Sequence, residues 1–204
     1  MMLFIFDMGG VVANSSNTGN VCKKLGISAH DYNSFHRDSE GRNTYQQLSI
    51  GSINVEKYWE NFSINSKIEI KIDYFTALYN PVLNKPLVLI IKKLKEKGYR
   101  VVCCTNTIKS HFEEHRRLGN YAIFDFVYSS HLMGVKKPNP EFFNKVIDVE
   151  QELVENIYFV KKKKKNIDAV DDDQENIDAA KKIGMKTHLF VSDEHLKNAL
   201  TVYL

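Results

Sequence analysis

Asp7 closes the first apolar run of the chain, Leu3 to Phe6, and is followed by Met8-Gly9-Gly10. Thr105-Asn106 closes a second run at 100–104. Lys136-Lys137-Pro138 follows a third, at 124–128, after a short loop. Asp171-Asp172-Asp173 lies beyond a fourth, at 157–160. If these runs are parallel strands, their carboxyl ends share the sheet edge where open α/β folds bind ligands. A carboxylate, a hydroxyl, an ammonium group and an acidic cluster would then meet. That set suits a phosphate monoester with a divalent cation. The carboxylate attacks phosphorus, Mg²⁺ offsets the charge of both partners, and hydroxyl and lysine hold the phosphoryl oxygens. Each residue alone has a plainer use: a turn Asp, an N-cap Thr-Asn, a solvated lysine, an acidic start to a helix. Their order along the chain is what favours the combined reading.

The elements that must position these residues are legible in the apolar pattern. A fifth run at 186–190 completes a set of short, buried strands. Helical patterns lie between most of them. Residues 87–97 put apolar side chains on one face and stop at Gly98; 110–118 stops at Gly119; 140–149 opens on Pro140; 174–183 stops at Gly184; and 193–203 has an acidic start. Such alternation predicts an α/β fold, a Rossmann-like parallel sheet covered by helices on both faces. Residues 15–85 break the rhythm, with helical patches at 54–62 and 67–79 and no clear strand. They read as a helical insertion after the first strand, placed where it could cover a site at the strand ends. The expected organisation is a core of 1–14 and 86–204 with a small helical cap at 15–85.

Composition excludes several classes. With 204 residues, 43% hydrophobic and 26% charged, the chain is long enough for one sizeable domain and too apolar for disorder. No apolar run approaches the roughly 18 residues that span a bilayer. Three cysteines, two of them adjacent, make no disulfide framework, so a reduced cytoplasmic protein is expected. The net charge of +3 rests on the lysine run 161–165; without it 23 basic residues face 25 acidic ones. One local run is not a basic face, so neither nucleic acid nor membrane is an expected partner, and the sequence identifies no protein partner. The run opens a curious segment: Asn166-Ile167-Asp168-Ala169 recurs ten residues on as Asn176-Ile177-Asp178-Ala179. A ten-residue insertion at 161–170 is the simplest reading.

From end to end the chain resembles the haloacid dehalogenase (HAD) superfamily. FIFDMGGVV at 4–12 is similar to its first motif, CCTNT at 103–107 to its second, GVKKPNPEFF at 134–143 to its third, and DDDQENIDAAKKIGMKT at 171–187 to its fourth. The resemblance implies Asp7 as nucleophile, Thr105 and Lys137 as ligands of the phosphoryl oxygens, and Asn106 helping to position that group. It implies Mg²⁺ on Asp7, on the backbone carbonyl of Gly9 and on Asp172, with Asp171 the neighbour and candidate second ligand. The short cap and the DMGGVV variant resemble phosphatases that act on sugar phosphates, notably glucose 1-phosphate. A small phosphorylated metabolite is therefore the expected substrate.

Two features depart from that pattern. Most phosphatases of the superfamily carry a second Asp two residues after the nucleophile as general acid and base; here Gly9 stands there. Without an acid the leaving group must depart as its anion, a smaller penalty for an anomeric oxygen than for a simple alcohol. His36, Glu40 or water are the alternative proton sources. The insertion at 161–170 also parts the fourth strand from its acidic cluster, with the strand at either 157–160 or 167–170. A dehalogenase and a non-catalytic phosphate-binding member of the fold are the rival readings. Within the cap, Tyr58, Trp59, Phe62, His36 and Arg37 are candidates for its inner face, although aromatics at helical spacing are more often core. His111 and His115, four apart, could share one helix face; no third metal ligand accompanies them.

Overall fold

The alternating pattern produces a parallel sheet wound in both directions from its first strand. The computed structural model describes residues 2–14, 17–162 and 172–204. In chain order, β1 (Leu3–Phe6) and the two-residue β2 (Ala13–Asn14) precede α1 (Thr18–Leu25), α2 (Ala29–Ser34), α3 (Thr44–Ser49), α4 (Val55–Ser66) and α5 (Tyr74–Ala77). Then come β3 (Val82–Leu83), α6 (Lys85–Glu96), β4 (Arg100–Thr105), α7 (Lys109–Arg117), β5 (Phe126–Ser129), α8 (Ser130–Met133) and α9 (Pro140–Glu150). The chain continues through β6 (Ile157–Lys162), α10 (Asp172–Lys182), β7 (Lys186–Phe190) and α11 (Asp193–Ala199). Among the described residues, five strands form one sheet in the order β5-β4-β1-β6-β7, every pair parallel. Phe6 stands opposite Cys103 on one side and Val160 on the other. Strand order reverses around β1, and the crevice at such a reversal is where ligands sit.

Both faces of the sheet are apolar because each strand points alternate residues to each. Phe4, Phe6, Val101 and Cys103 pack with Leu87, Ile90, Ile91 and Leu94 of α6 and Leu196 of α11. Leu3, Ile5, Val102 and Cys104 pack with Phe142, Phe143 and Val146 of α9 and Ile177 and Ala180 of α10. The adjacent cysteines thus enter opposite cores, and burial pushes both thiols up. Helix starts follow their caps: the Asn84 carboxamide oxygen accepts from the Leu87 N–H ahead of α6, and Asn139 from Glu141 ahead of α9, each with proline in the first turn.

Helices α1–α5 lie between β2 and β3, which pair antiparallel at the base of the insertion. Their aromatic core of Tyr32, Tyr58, Trp59, Phe62 and Phe75 also takes in Ile108, which caps α7 of the sheet layer. Asp73 joins the same two parts. Its carboxylate accepts from Trp59 Nε1 at 2.9 Å, Thr76 Oγ1 at 2.6 Å and Ser110 Oγ at 2.7 Å.

Three element boundaries differ from expectation. Residues 67–79 are not one helix: Lys67 ends α4 in the left-handed region, Ile68, Ile70 and Ile72 alternate with polar residues at period two, and a single turn, α5, follows Asp73. β5 begins at Phe126 rather than Phe124, because Asn120–Ile123 form a 3₁₀ turn and Asp125 meets β4 with both its N–H and its carboxylate, bonding to Val101. α11 ends at Ala199, and the Tyr203 ring returns to pack on Phe4 and Tyr99. The fourth strand is the one at 157–162; the alternative at 167–170 lies outside the described residues. None of the described helices is long and apolar enough to cross a membrane.

Candidate active site

β1 delivers Asp7 to the sheet edge, where its backbone N–H donates to Val160 O at 3.1 Å and continues the pairing with β6. A tight turn follows. Gly10 has φ +74° and donates to Ala13 O, while the Met8 carbonyl accepts from Val12 and Ala13. Only glycine adopts that φ without strain. The turn aims the Met8 N–H at Asp7 Oδ1, 2.9 Å away. The carboxylate is 3% exposed, yet a cation stands on each oxygen. Lys137 Nζ lies 3.1 Å from Oδ1, and Lys161 Nζ lies 2.6 Å from Oδ2.

Lys137 is fully buried. Its ammonium also donates to Cys104 O at 2.6 Å and lies 5.3 Å from the centre of the Phe159 ring. Its backbone is held by Asn106, whose Oδ1 accepts from the Lys137 N–H at 2.9 Å and whose Nδ2 donates to the Lys137 carbonyl at 2.8 Å. Both ends of the Asn106 carboxamide therefore work on the lysine's main chain. Thr105 ends β4, 3% exposed and in register with Ser129. Burial pushes the Asp7 carboxyl up, but Lys137 and Lys161 together outweigh it and hold it below the ordinary aspartate range. Burial lowers the Lys137 ammonium, opposed by Asp7.

The structure thus brings Asp7, Thr105, Asn106 and Lys137 to one edge, with Gly9 in the turn beside them. Asp171 and the side chain of Asp172 lie outside the described residues. The residue that sequence reasoning passed over is Lys161. It directly follows 157–160, so the strand-end rule applies to it equally, but the four lysines after it dilute the signal. Ser130, at the start of α8, also went unnoticed. Its hydroxyl donates to Ser49 O of the insertion at 2.6 Å and accepts from the Thr107 N–H at 2.9 Å, a polar tie from the helical layer to the β4 loop.

The candidates placed in the insertion are not at this edge. Tyr58, Trp59 and Phe62 form its own core. His36 is buried against Tyr32, Tyr45 and Tyr58, and burial lowers its imidazole to about 4. Arg37 and Glu40 are exposed, the former donating to Gly41 O and the latter paired with Arg42. His111 stacks on Tyr79, and His115 accepts or donates at Tyr79 OH (2.8 Å) and Asn120 (3.0 Å); burial lowers each to about 4. Those are packing and hydrogen-bonding positions.

A magnesium site needs about six oxygen ligands in tight octahedral geometry. Among the described residues, no group of three His, Cys, Asp or Glu is placed to hold a metal, and Asp7 already has an ammonium on each oxygen. The described residues alone do not make a Mg²⁺ site.

Known proteins resemble this chain in sequence and in fold. The sesquiterpene phosphatase astK of Aspergillus oryzae is 26% identical over 188 residues, 89% of this chain and 85% of that protein. A HAD-like family hydrolase of Porphyromonas gingivalis superposes with TM-score 0.77 at 20% identity, over 99% of this chain and 97% of the other. A HAD family enzyme of Bacteroides thetaiotaomicron, in complex with magnesium and inorganic phosphate, superposes with TM-score 0.75 at 19% identity, over 96% and 98%. The family model described as haloacid dehalogenase-like hydrolase matches residues 1–184. Asp7 at the end of the central strand, Lys137 buried against it and this match over most of the sequence place the chain in the haloacid dehalogenase-like hydrolase family.

Proposed function

We propose that this hydrolase is a phosphatase that cleaves a small phosphomonoester through an aspartyl-phosphate on Asp7. The observation that carries the reading is the Asp7 carboxylate, kept ionised in a nearly closed site between the Lys137 and Lys161 ammonium groups. The phosphatase name of the Aspergillus relative and the phosphate bound by the Bacteroides relative support it.

In this reading a carboxylate oxygen of Asp7 attacks phosphorus. A phosphorus–oxygen bond forms to Asp7 as the bond to the leaving oxygen breaks, and water then attacks the same phosphorus, releasing inorganic phosphate and restoring the carboxylate. Lys137 neutralises charge on the phosphoryl oxygens with Thr105 beside it, and Asn106 acts by positioning Lys137. Residues 15–85 act as a cap over a core of 1–14 and 86–204, tied down by Ser130 and Asp73. The proton for the leaving oxygen comes from solvent, since Gly9 has no side chain and His36 is locked in an aromatic core. That favours esters with acidic leaving groups, an aldose 1-phosphate above a simple alkyl phosphate. Mg²⁺ enters through the family and the magnesium complex of the Bacteroides relative; the described residues do not assemble its ligands, and no step here runs through it.

The test is phosphate release from a panel containing aldose 1-phosphates, aldose 6-phosphates and a sesquiterpenyl phosphate, in Mg²⁺ and in EDTA. Fastest release from an aldose 1-phosphate, lost in Asp7→Asn, is the expected result. No release from any ester by folded protein overturns the reading. Fastest release from the sesquiterpenyl ester overturns its substrate class.

A further inference from the structure

We propose that Ser130 is a positioning residue that couples the seating of the helical insertion to the aim of Lys137 at Asp7, so that the phosphate site is fully assembled only when the insertion sits on the sheet layer. The proposal rests on the reading of residues 15–85 as a cap and of Asp7 as the nucleophile.

The hydroxyl stands between the two layers. Ser130 opens α8 and is fully buried. It donates at 2.6 Å to Ser49 O, on the last residue of α3, where a helix leaves its carbonyls without intrahelical partners. The same oxygen accepts from the Thr107 N–H at 2.9 Å, in the loop between β4 and α7. A serine hydroxyl has one proton to give. Thr107 O, at 3.2 Å, is the other acceptor within its reach. With the insertion seated, the shorter bond to Ser49 takes the proton. With the insertion lifted, the proton turns to Thr107 O and draws on the loop from a new direction. The orientation of the hydroxyl therefore follows the position of the insertion.

From Thr107 the path to the nucleophile is continuous. Asn106, the preceding residue, holds the Lys137 main chain by both its N–H and its carbonyl, and Lys137 Nζ lies 3.1 Å from Asp7 Oδ1. Ile108, the following residue, is buried in the aromatic core of the insertion. The segment 105–108 is thus gripped by the insertion at one end and carries Thr105 and Asn106 at the other. Such a chain of hydrogen bonds and packed side chains can carry a displacement between layers. Gly51 shows how closely those layers meet. It has φ +71°, and a Cβ there would lie 2.2 Å from the oxygen of His131, the residue after Ser130. That oxygen belongs to the main chain and cannot swing aside. Gly51→Ala therefore lifts the end of α3 from α8 while leaving the Ser130 hydroxyl in place.

A double-mutant cycle on the full chain, read as turnover of para-nitrophenyl phosphate in Mg²⁺, tests the coupling. Ser130→Ala should lower kcat about tenfold with KM within about twofold of wild type. In an Asn106→Ala background the same substitution should change kcat by less than about twofold, because the path is already cut. Gly51→Ala should reproduce the loss in kcat and speed amide exchange over 105–108, on the far side of Ser130. Losses from Ser130→Ala and Asn106→Ala that multiply would make the hydroxyl an ordinary structural bond and overturn the proposal. A rise in KM alone in Ser130→Ala would overturn it too. Should Ser130→Ala fail to fold, Gly51→Ala decides, and a wild-type kcat in that variant overturns the proposal. Folded wild type that releases phosphate from no ester removes the phosphatase reading instead. Amide exchange then judges the coupling by itself: faster exchange over 105–108 in Gly51→Ala supports it, and unchanged exchange overturns it.

Discussion

A lysine with no exposed surface keeps its charge only if something negative lies against it, and Lys137 has Asp7 at 3.1 Å and the Cys104 carbonyl at 2.6 Å. Asp7→Asn therefore removes the proposed nucleophile and a counter-charge of two buried ammonium groups. Turnover should fall by at least about 10³-fold with the far-ultraviolet spectrum unchanged; a variant within tenfold of wild type would dismiss Asp7 as nucleophile. Asn106→Ala leaves the Lys137 backbone without both of its bonds to that side chain. We expect kcat to drop about tenfold or more with a smaller change in KM, since the lysine stays but its aim is loosened. A rise in KM alone would instead mean that Asn106 binds the substrate itself. At this scale the strand-end rule located Asp7, which directly follows β1, whereas Lys137 lies in the loop after α8. The sequence was silent on Asn106's partner, because a carboxamide can face a ligand or a main chain equally well. Lys161 was hidden for another reason: a run of five identical residues gives the sequence no way to single it out.

Strand positions were legible because a buried parallel strand is a short apolar block, and β1 and β7 fall where the apolar runs do. Boundaries slipped where side chains rather than periodicity decide, as at Asp125, which takes over a ladder position ahead of β5. The insertion was readable as helical but not in its ties to the sheet layer, since Asp73 and Ser130 are ordinary polar residues until their partners are known. Asp73 accepts from Trp59, Thr76 and Ser110 and from the N–H of Phe75. Asp73→Ala should cost about 2–4 kcal/mol in denaturant unfolding, with the loss concentrated in α4 and α5 by hydrogen exchange. A change under about 0.5 kcal/mol would mean that water replaces the carboxylate at no cost.

The molecule as a whole pairs the sheet with a helical layer, and histidines shifted by burial lie in both: His36 in the insertion and His111 and His115 on α7. Burial lowers His36, His111 and His115 to about 4, below the ordinary value of 6.5. The unfolded chain takes up protons at these groups before the folded one does. Their contribution to stability is thus complete above pH 6.5 and lost as the pH falls toward 4. Chemical denaturation at pH 7, 5.5 and 4.5 should show stability falling with pH, by up to about 1.4 kcal/mol per unit for each histidine. His36→Phe should flatten that slope, and an unchanged slope would mean that the ring is hydrated. The order of the motifs made the family legible across the chain, whereas the place of Lys161 beside Asp7 depended on strand register, which no motif encodes. The most direct test of the whole account is acid-quenched mass spectrometry of enzyme mixed with its best ester. A phosphoryl adduct on the peptide containing Asp7, absent from Asp7→Asn, is the predicted result; sustained turnover with an adduct at another residue would contradict it.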